Sequence, residues 1–382
     1  MSEGSKATKR ARLDEQDAAR TLHCDDLFFS DGNIILRAYS ANNHTYTFFR
    51  VHKSLLGMNS VFFRDLFGGD SSSVFDASSE QYEGLPVMDM QDDPKDLEDF
   101  LRALYIPGFM RRHLDTKARM YDFPKMYNGV MRMVKKFDAP QLYDVFSSEL
   151  RAAWPPDLRE AEARWKLHDA RWENCPGDWL ERRLRSHPNA GYGLRMAVDY
   201  HIPDVLPPLF YELALSFGVG NIVDGRETCC GDLTALNSNE LRTLLLGSAA
   251  LRTHISSSFP PDVAEARDLN VDLDNCSATP SCSEVDLKAF WRDLSEHMRD
   301  GDDPWTVLQD HGMFEDYSLC THCRDAVETH LRDYREDLWP RLPEIFQLGE
   351  YDVSANWPQS PNAANDAGSA VSASSLYGIT FI

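Results

Sequence analysis

Between Ile34 and Phe67 the apolar residues change period within one short stretch, and that change narrows the folds open to the chain. Ile34, Leu36 and Ala38 alternate with other residues, and Tyr46, Phe48 and Val51 follow an Ala41-Asn42-Asn43-His44 turn. Period-two spacing around turn residues reads as a β-hairpin. From His52 to Phe67 the apolar residues Leu55, Leu56, Val61, Phe62, Phe63, Leu66 and Phe67 fall into two helical clusters, with Gly57 and Asn59-Ser60 marking a break between them. The pair is expected to be an αα-hairpin packed on the strands.

After a Gly- and Ser-rich loop at 68–84, Leu85, Val87 and Met90 predict a short third strand. Asp93 can cap a following helix, Pro94 suits its first position, and Leu97, Phe100, Leu101, Leu104 and Tyr105 recur at three- and four-residue steps before Pro107-Gly108 stops it. Tyr127, Val130, Met131, Val134 and Phe137 predict another amphipathic helix, and Leu142, Val145, Phe146 and Leu150 a further one, closed by Pro155-Pro156. The fold class is therefore α+β, a small sheet with packed helices followed by a mainly α-helical C-terminal region. Helices are expected around 158–172, 176–186, 190–200, 204–216, 238–256, 284–299 and 322–338. The domain reading is a polar tail at 1–22, an N-terminal domain at 24–155, a helical extension at 156–348 and a Ser-, Ala- and Asn-rich tail at 349–382, both tails expected to be disordered.

With 39 Lys and Arg against 61 Asp and Glu, a formal charge of −22 disfavours direct binding to nucleic acid or an anionic membrane. No run approaches the ~20 apolar residues of a membrane span, and the first 25 residues lack the apolar core of a signal peptide. The expected location is intracellular, cytoplasm or nucleus. Lys9-Arg10-Ala11-Arg12 would suit a nuclear import signal as well as a solvated tail.

The run Phe49-Arg50-Val51-His52-Lys53-Ser54-Leu55-Leu56, followed by Asn59-Ser60-Val61-Phe62-Phe63-Arg64-Asp65-Leu66-Phe67, resembles the central signature of BTB (POZ) domains. Phe49, His52, Leu55, Ser60, Phe63 and Phe67 carry that resemblance, which covers roughly residues 24–153. It implies a protein–protein interaction domain that forms homodimers or pairs with another BTB protein. It also implies that Asp31 and Lys53, an acid ahead of the first hairpin strand and a base after His52, line a charged pocket near the subunit interface. A carboxylate and an ammonium can share a partly buried site only by neutralising each other; otherwise Asp31 caps a turn and Lys53 is solvated. His52 is expected to be structural, bonding to backbone. Ile202 to Leu213 and Leu338 to Phe346 are similar to segments of BTB proteins multiplied in mushroom-forming fungi.

Two stretches depart from the family pattern. The loop 68–84 is long, and the insertion 107–120, with Arg111, Arg112, His113, Lys117 and Arg119, is unusually basic. BTB proteins that recruit cullin ubiquitin ligases place a hydrophobic-x-acidic motif in the former loop, and Val74-Phe75-Asp76 fits it loosely.

The eight cysteines, on a chain without a secretory signal, are read as thiols or metal ligands. Cys276 and Cys282 bracket a loop, while Cys320 and Cys323 form a C-x-x-C at the start of a helix whose Val327, Leu331, Tyr334 and Leu338 share a face. Two close pairs suit one structural zinc ion, with His311 and His322 as spare ligands. Unliganded loop cysteines are the competing reading, and a redox pair the third. No P-loop, G-x-S-x-G elbow or H-E-x-x-H is present, and Gly218-Val219-Gly220 lacks the context of a dinucleotide fingerprint. The chain is thus expected not to be an enzyme but an adaptor or scaffold that self-associates. The alternatives are a substrate adaptor of a cullin ligase and a nuclear regulator acting through protein contacts; a zinc- or thiol-dependent enzyme ranks last.

Overall fold

The computed structural model describes residues 20–68, 80–114, 120–175, 185–215, 222–223, 227–228, 231–259, 276, 282, 284–300, 319–353 and 357–358. It divides into two units, Met1–Glu149 and Leu150–Ile382. The architecture is mixed α+β, a small N-terminal sheet followed mostly by helices.

The first unit is built on a five-stranded sheet of β1 (Arg20–Phe28), β2 (Ile34–Ser40), β3 (Thr45–Val51), β4 (Gln81–Tyr82) and β5 (Leu85–Met90), in the order β1-β3-β2-β5-β4. β2 and β3 form the expected antiparallel hairpin, with Ile34 opposite Val51 and Leu36 opposite Phe49. β5 runs parallel to β2, with Ile35 beside Val87. Residues directly opposite in a sheet share a face, so Phe48 falls on the other side from Phe49 and Val51. There it joins Ile35 and Val87, with Phe28, Tyr46, Tyr82 and Leu85 packed against them. β2 is therefore buried on both faces, with Ile34, Ile35 and Leu36 all fully covered. The alternation of Ile34, Leu36 and Ala38 marks only one of those faces, since a strand at the centre of a covered sheet carries apolar residues on the other as well.

β1 was not expected. It lies at the sheet edge, parallel to β3, so Arg20, Thr21 and Leu22 belong to a strand and not to the predicted tail. Its run Arg-Thr-Leu-His-Cys-Asp-Asp-Leu-Phe is mostly exposed and buries only Leu27, which leaves no period to detect.

The αα-hairpin follows as expected, α1 (Lys53–Asn59) and α2 (Val61–Phe67). Ser60 joins them. Its backbone N–H closes α1 on the Leu56 carbonyl, 3.0 Å away. Its Oγ accepts the Phe63 N–H at 3.2 Å, capping α2, and donates to the Phe137 carbonyl. Phe63 then sits fully buried, its ring 4.9 Å from that of Phe137. α3 (Pro94–Tyr105) begins at Asp93, whose carboxylate accepts the Lys95 N–H at 2.8 Å. α4 (Asn128–Phe137) buries Val130, Met131, Met133, Val134 and Phe137, and α5 (Pro140–Ala153) follows it.

The second unit contains α6 (Leu158–Asn174), α7 (Ala190–Asp199), α8 (Leu206–Leu215), α9 (Ser238–Ser258), α10 (Glu284–Asp300) and α11 (Thr321–Ile345). Most of the helix predicted at 176–186 lies outside the described residues. At Asn237 a full capping box starts α9: its side chain accepts the Glu240 N–H at 2.9 Å, and Glu240 accepts the Asn237 N–H at 2.7 Å. Glu240 is completely buried and meets the Arg195 guanidinium at 2.7 Å.

α11 runs seven residues past its expected end at 338, through Pro340 and Pro343. Each proline removes a backbone hydrogen bond and crowds the preceding turn, at about 3 kcal/mol in an isolated helix. Packing offsets that cost. Trp339 is nearly buried and donates its indole N–H to the Pro156 carbonyl at 2.7 Å, while Leu342 and Phe346 are covered, Phe346 stacked 5.5 Å from Phe210. Gly247 of α9 faces Phe346 where any Cβ would collide with the ring. The predicted C-terminal tail also begins too early, since Leu348–Tyr351 form a 3-10 turn and Val353 and Trp357 are buried. Trp357 lies 5.7 Å from Trp339, which is in turn 5.9 Å from Trp165, and its N–H points at the Pro340 carbonyl 3.3 Å away.

Candidate metal centre

Four sulfurs converge in the second unit. Cys320 is the N-cap residue of α11 and Cys323 lies in its first turn, so helical geometry places both on one side of the helix start. Cys276 and Cys282 come from the chain between α9 and α10. The four Sγ atoms all lie within 4.8 Å of one another. A tetrahedron with metal–sulfur bonds of about 2.3 Å has sulfurs about 3.8 Å apart, so the cluster is of the right size to hold one ion.

Backbone donors aim at the sulfurs. The Cys282 N–H reaches the Cys276 sulfur at 3.2 Å, and the Cys320 N–H reaches the Cys282 sulfur at 3.2 Å. Such bonds favour thiolate character, as does the positive end of the helix dipole at Cys320. Against them stands burial. Cys323 is fully covered and Cys282 nearly so. Desolvation, with the other three sulfurs close by, pushes the Cys323 thiol well above the ordinary range, and burial raises that of Cys282. Four such sulfurs can all ionise only around a cation, which reverses the local preference.

Val327 and Leu331 continue the face of α11 that carries Cys323, and Leu319, just ahead of the helix, is buried too. Phe259 at the end of α9 lies 5.5 Å from Trp291 of α10 and 4.7 Å from Tyr334 of α11, so aromatic packing unites the three helices. Of the spare ligands, His311 lies outside the described residues and His322 is not part of the sulfur group. Cys24 is a half-buried residue of β1 and Cys175 caps the end of α6; Cys229 and Cys230 are not described.

In the first unit, Asp31 meets His52: His52 Nε2 is 3.2 Å from Asp31 Oδ1. The His52 backbone N–H donates to the Tyr105 hydroxyl at 2.9 Å, and that hydroxyl lies 3.1 Å from His52 Nδ1. A hydroxyl that accepts the backbone N–H still has its proton to give to Nδ1, and in that tautomer Nε2 carries the hydrogen that faces Asp31. The expectation for the His52 ring is a bond to backbone; it meets the side chains of Tyr105 and Asp31 instead. Nothing local could have signalled Tyr105, 53 residues away. Asp31 is largely exposed, and its own backbone N–H, then His52, lower its carboxyl below the usual range. The Lys53 ammonium lies 5.6 Å over the Phe67 ring, and the Lys53 N–H donates to Asn33 at 2.8 Å. Phe49 is buried, while Leu55 is half-covered.

The basic insertion is partly engaged. Arg111 meets Glu149 at 2.8 Å, and Arg112 stacks 4.2 Å over Phe109. Lys117, Arg119 and the Val74-Phe75-Asp76 triplet lie outside the described residues. Among the described residues, no helix is long and apolar enough to cross a membrane. No family model, curated protein or solved structure matches the chain.

Proposed function

We propose that the chain is a protein-interaction adaptor that self-associates through a BTB/POZ-type first unit, and that Cys276, Cys282, Cys320 and Cys323 bind one structural zinc ion in the second. The observation that carries the association is the apolar surface left on the αα-hairpin: Met58 is 78% exposed and Phe62 41% exposed. These side chains sit on the two helices that bear the family-like signature, beyond what the unit's own core covers. An isologous contact hides such residues in both copies at once, and a stable one buries about 800 Å² per partner.

The zinc reading is supported by an all-sulfur donor set of tetrahedral size, in which four protein ligands leave no open catalytic position. In this role the metal ties the segment before α10 to the start of α11.

Sedimentation equilibrium of the full chain over a wide concentration range tests the association. A dimer that Met58→Arg with Phe62→Arg converts to a folded monomer is the expected result; a wild-type monomer at every concentration overturns it. Native mass spectrometry of the same preparation should show one zinc per chain, lost in Cys323→Ser.

A further inference from the structure

We infer that the sulfur cluster is also a peroxide-responsive site, in which Cys276 and Cys320 close into a disulfide in preference to the sequence neighbours Cys320 and Cys323. The release of zinc that would accompany this step rests on the metal reading above. The choice of pair does not.

Exposure selects the pair, and the distance permits it. Cys276 Sγ and Cys320 Sγ are 3.5 Å apart, so they need to approach by about 1.5 Å to reach a disulfide bond of ~2.05 Å. They are also the two partly exposed members of the cluster, whereas Cys282 is 8% exposed and Cys323 is fully covered. Oxidation of cysteine follows access and thiolate character, so a small peroxide arriving from solvent meets Cys276 and Cys320 first. Cys323 points into the face of α11 with Val327 and Leu331, and reaching it from solvent requires the helix start to open.

The chemistry balances with hydrogen peroxide as oxidant. One sulfur attacks a peroxide oxygen, the O–O bond breaks, and a sulfenic acid and one water form. The second sulfur displaces that hydroxyl as another water, and the S–S bond closes. The two sulfurs lose two electrons, which reduce one peroxide to two waters, with both protons supplied by the thiols, or by solvent where the sulfurs start as thiolates. Only Cys282 and Cys323 then remain as thiolate donors, half of a tetrahedral set, and zinc is released.

The full chain, purified anaerobically under reduction, is divided into a zinc-loaded and a chelator-stripped sample, and each is treated with equimolar hydrogen peroxide. Remaining thiols are alkylated and disulfides mapped by peptide mass spectrometry, while a chromogenic chelator follows zinc. The expected outcome is a dominant Cys276–Cys320 link in both samples, with two of the four thiols lost and one zinc released per link. Cys323→Ser should keep that link and Cys276→Ser should abolish it. A dominant Cys320–Cys323 link, or sulfinic acid without a disulfide, overturns the inference. A chain that takes up no zinc overturns the metal reading alone, since the pairing is still decided in the stripped sample.

Discussion

The start of α2 and the start of α11 pose the same problem, a chain that turns out of an irregular connection into a helix, and they solve it with different atoms. At Ser60 a hydroxyl accepts the Phe63 N–H, donates to the Phe137 carbonyl and is itself buried, so the first unit closes this junction with its own polar groups. At Cys320 the side chain makes no capping bond, and its sulfur instead joins three others. The first arrangement is complete once the chain folds. The second gathers four soft donors within 4.8 Å of one another, a junction of a size to hold an ion.

The largest test of that contrast is metal removal. Chelation should lower the stability of the region around α10 and α11 by more than any single substitution does, leaving it folded under native conditions and the first unit unaffected, because a structural zinc ion binds the folded donor set in preference to the unfolded chain. Hydrogen exchange read by mass spectrometry would show protection reduced over 284–300 and 321–345 and retained over 34–67; a reduction in both would erase the distinction. Next in size, Phe63→Ala should destabilise the first unit by about 3–5 kcal/mol in urea, with and without chelator alike, since it empties a fully buried site. Ser60→Ala should cost about 2 kcal/mol through the lost cap and an unsatisfied buried carbonyl at Phe137.

The smallest effect belongs to Asp31. Its folded carboxyl titrates below the unfolded value, so its contribution is present above about pH 4 and fades as the pH falls through the lowered value. The gap in urea midpoint between wild type and Asp31→Asn should therefore be small at neutral pH and narrow in acid. A gap that widens in acid would contradict the His52 contact as its source.

Much of both regions could be read before any coordinates. The switch from period two to helical clusters at His52 located the hairpin and the two helices, because both faces of that change are written in large apolar residues. The paired spacing of Cys276, Cys282, Cys320 and Cys323 pointed to the sulfur site, since ligand chemistry is carried by residue type. What escaped was set by distant partners. β1 exists because the edge of β3 accepts it, not because its own residues alternate. The face of Ile35 is apolar because Phe48 and Val87 meet it. α11 survives two prolines because Trp339 and Phe346 are anchored elsewhere in the second unit. Local propensity had no access to those contacts.

The packing of Trp357 against Trp339, and of Trp339 near Trp165, has an optical consequence. All eight tryptophans of the chain follow residue 149, so the first unit, ending at Glu149, contains none. Indole emission is thus a signal of the second unit alone, and the unit carrying the αα-hairpin is dark except for tyrosine. An experimenter following fluorescence sees the seating of Trp357 on α11 and is blind to the sheet, unless an indole is introduced among its strands.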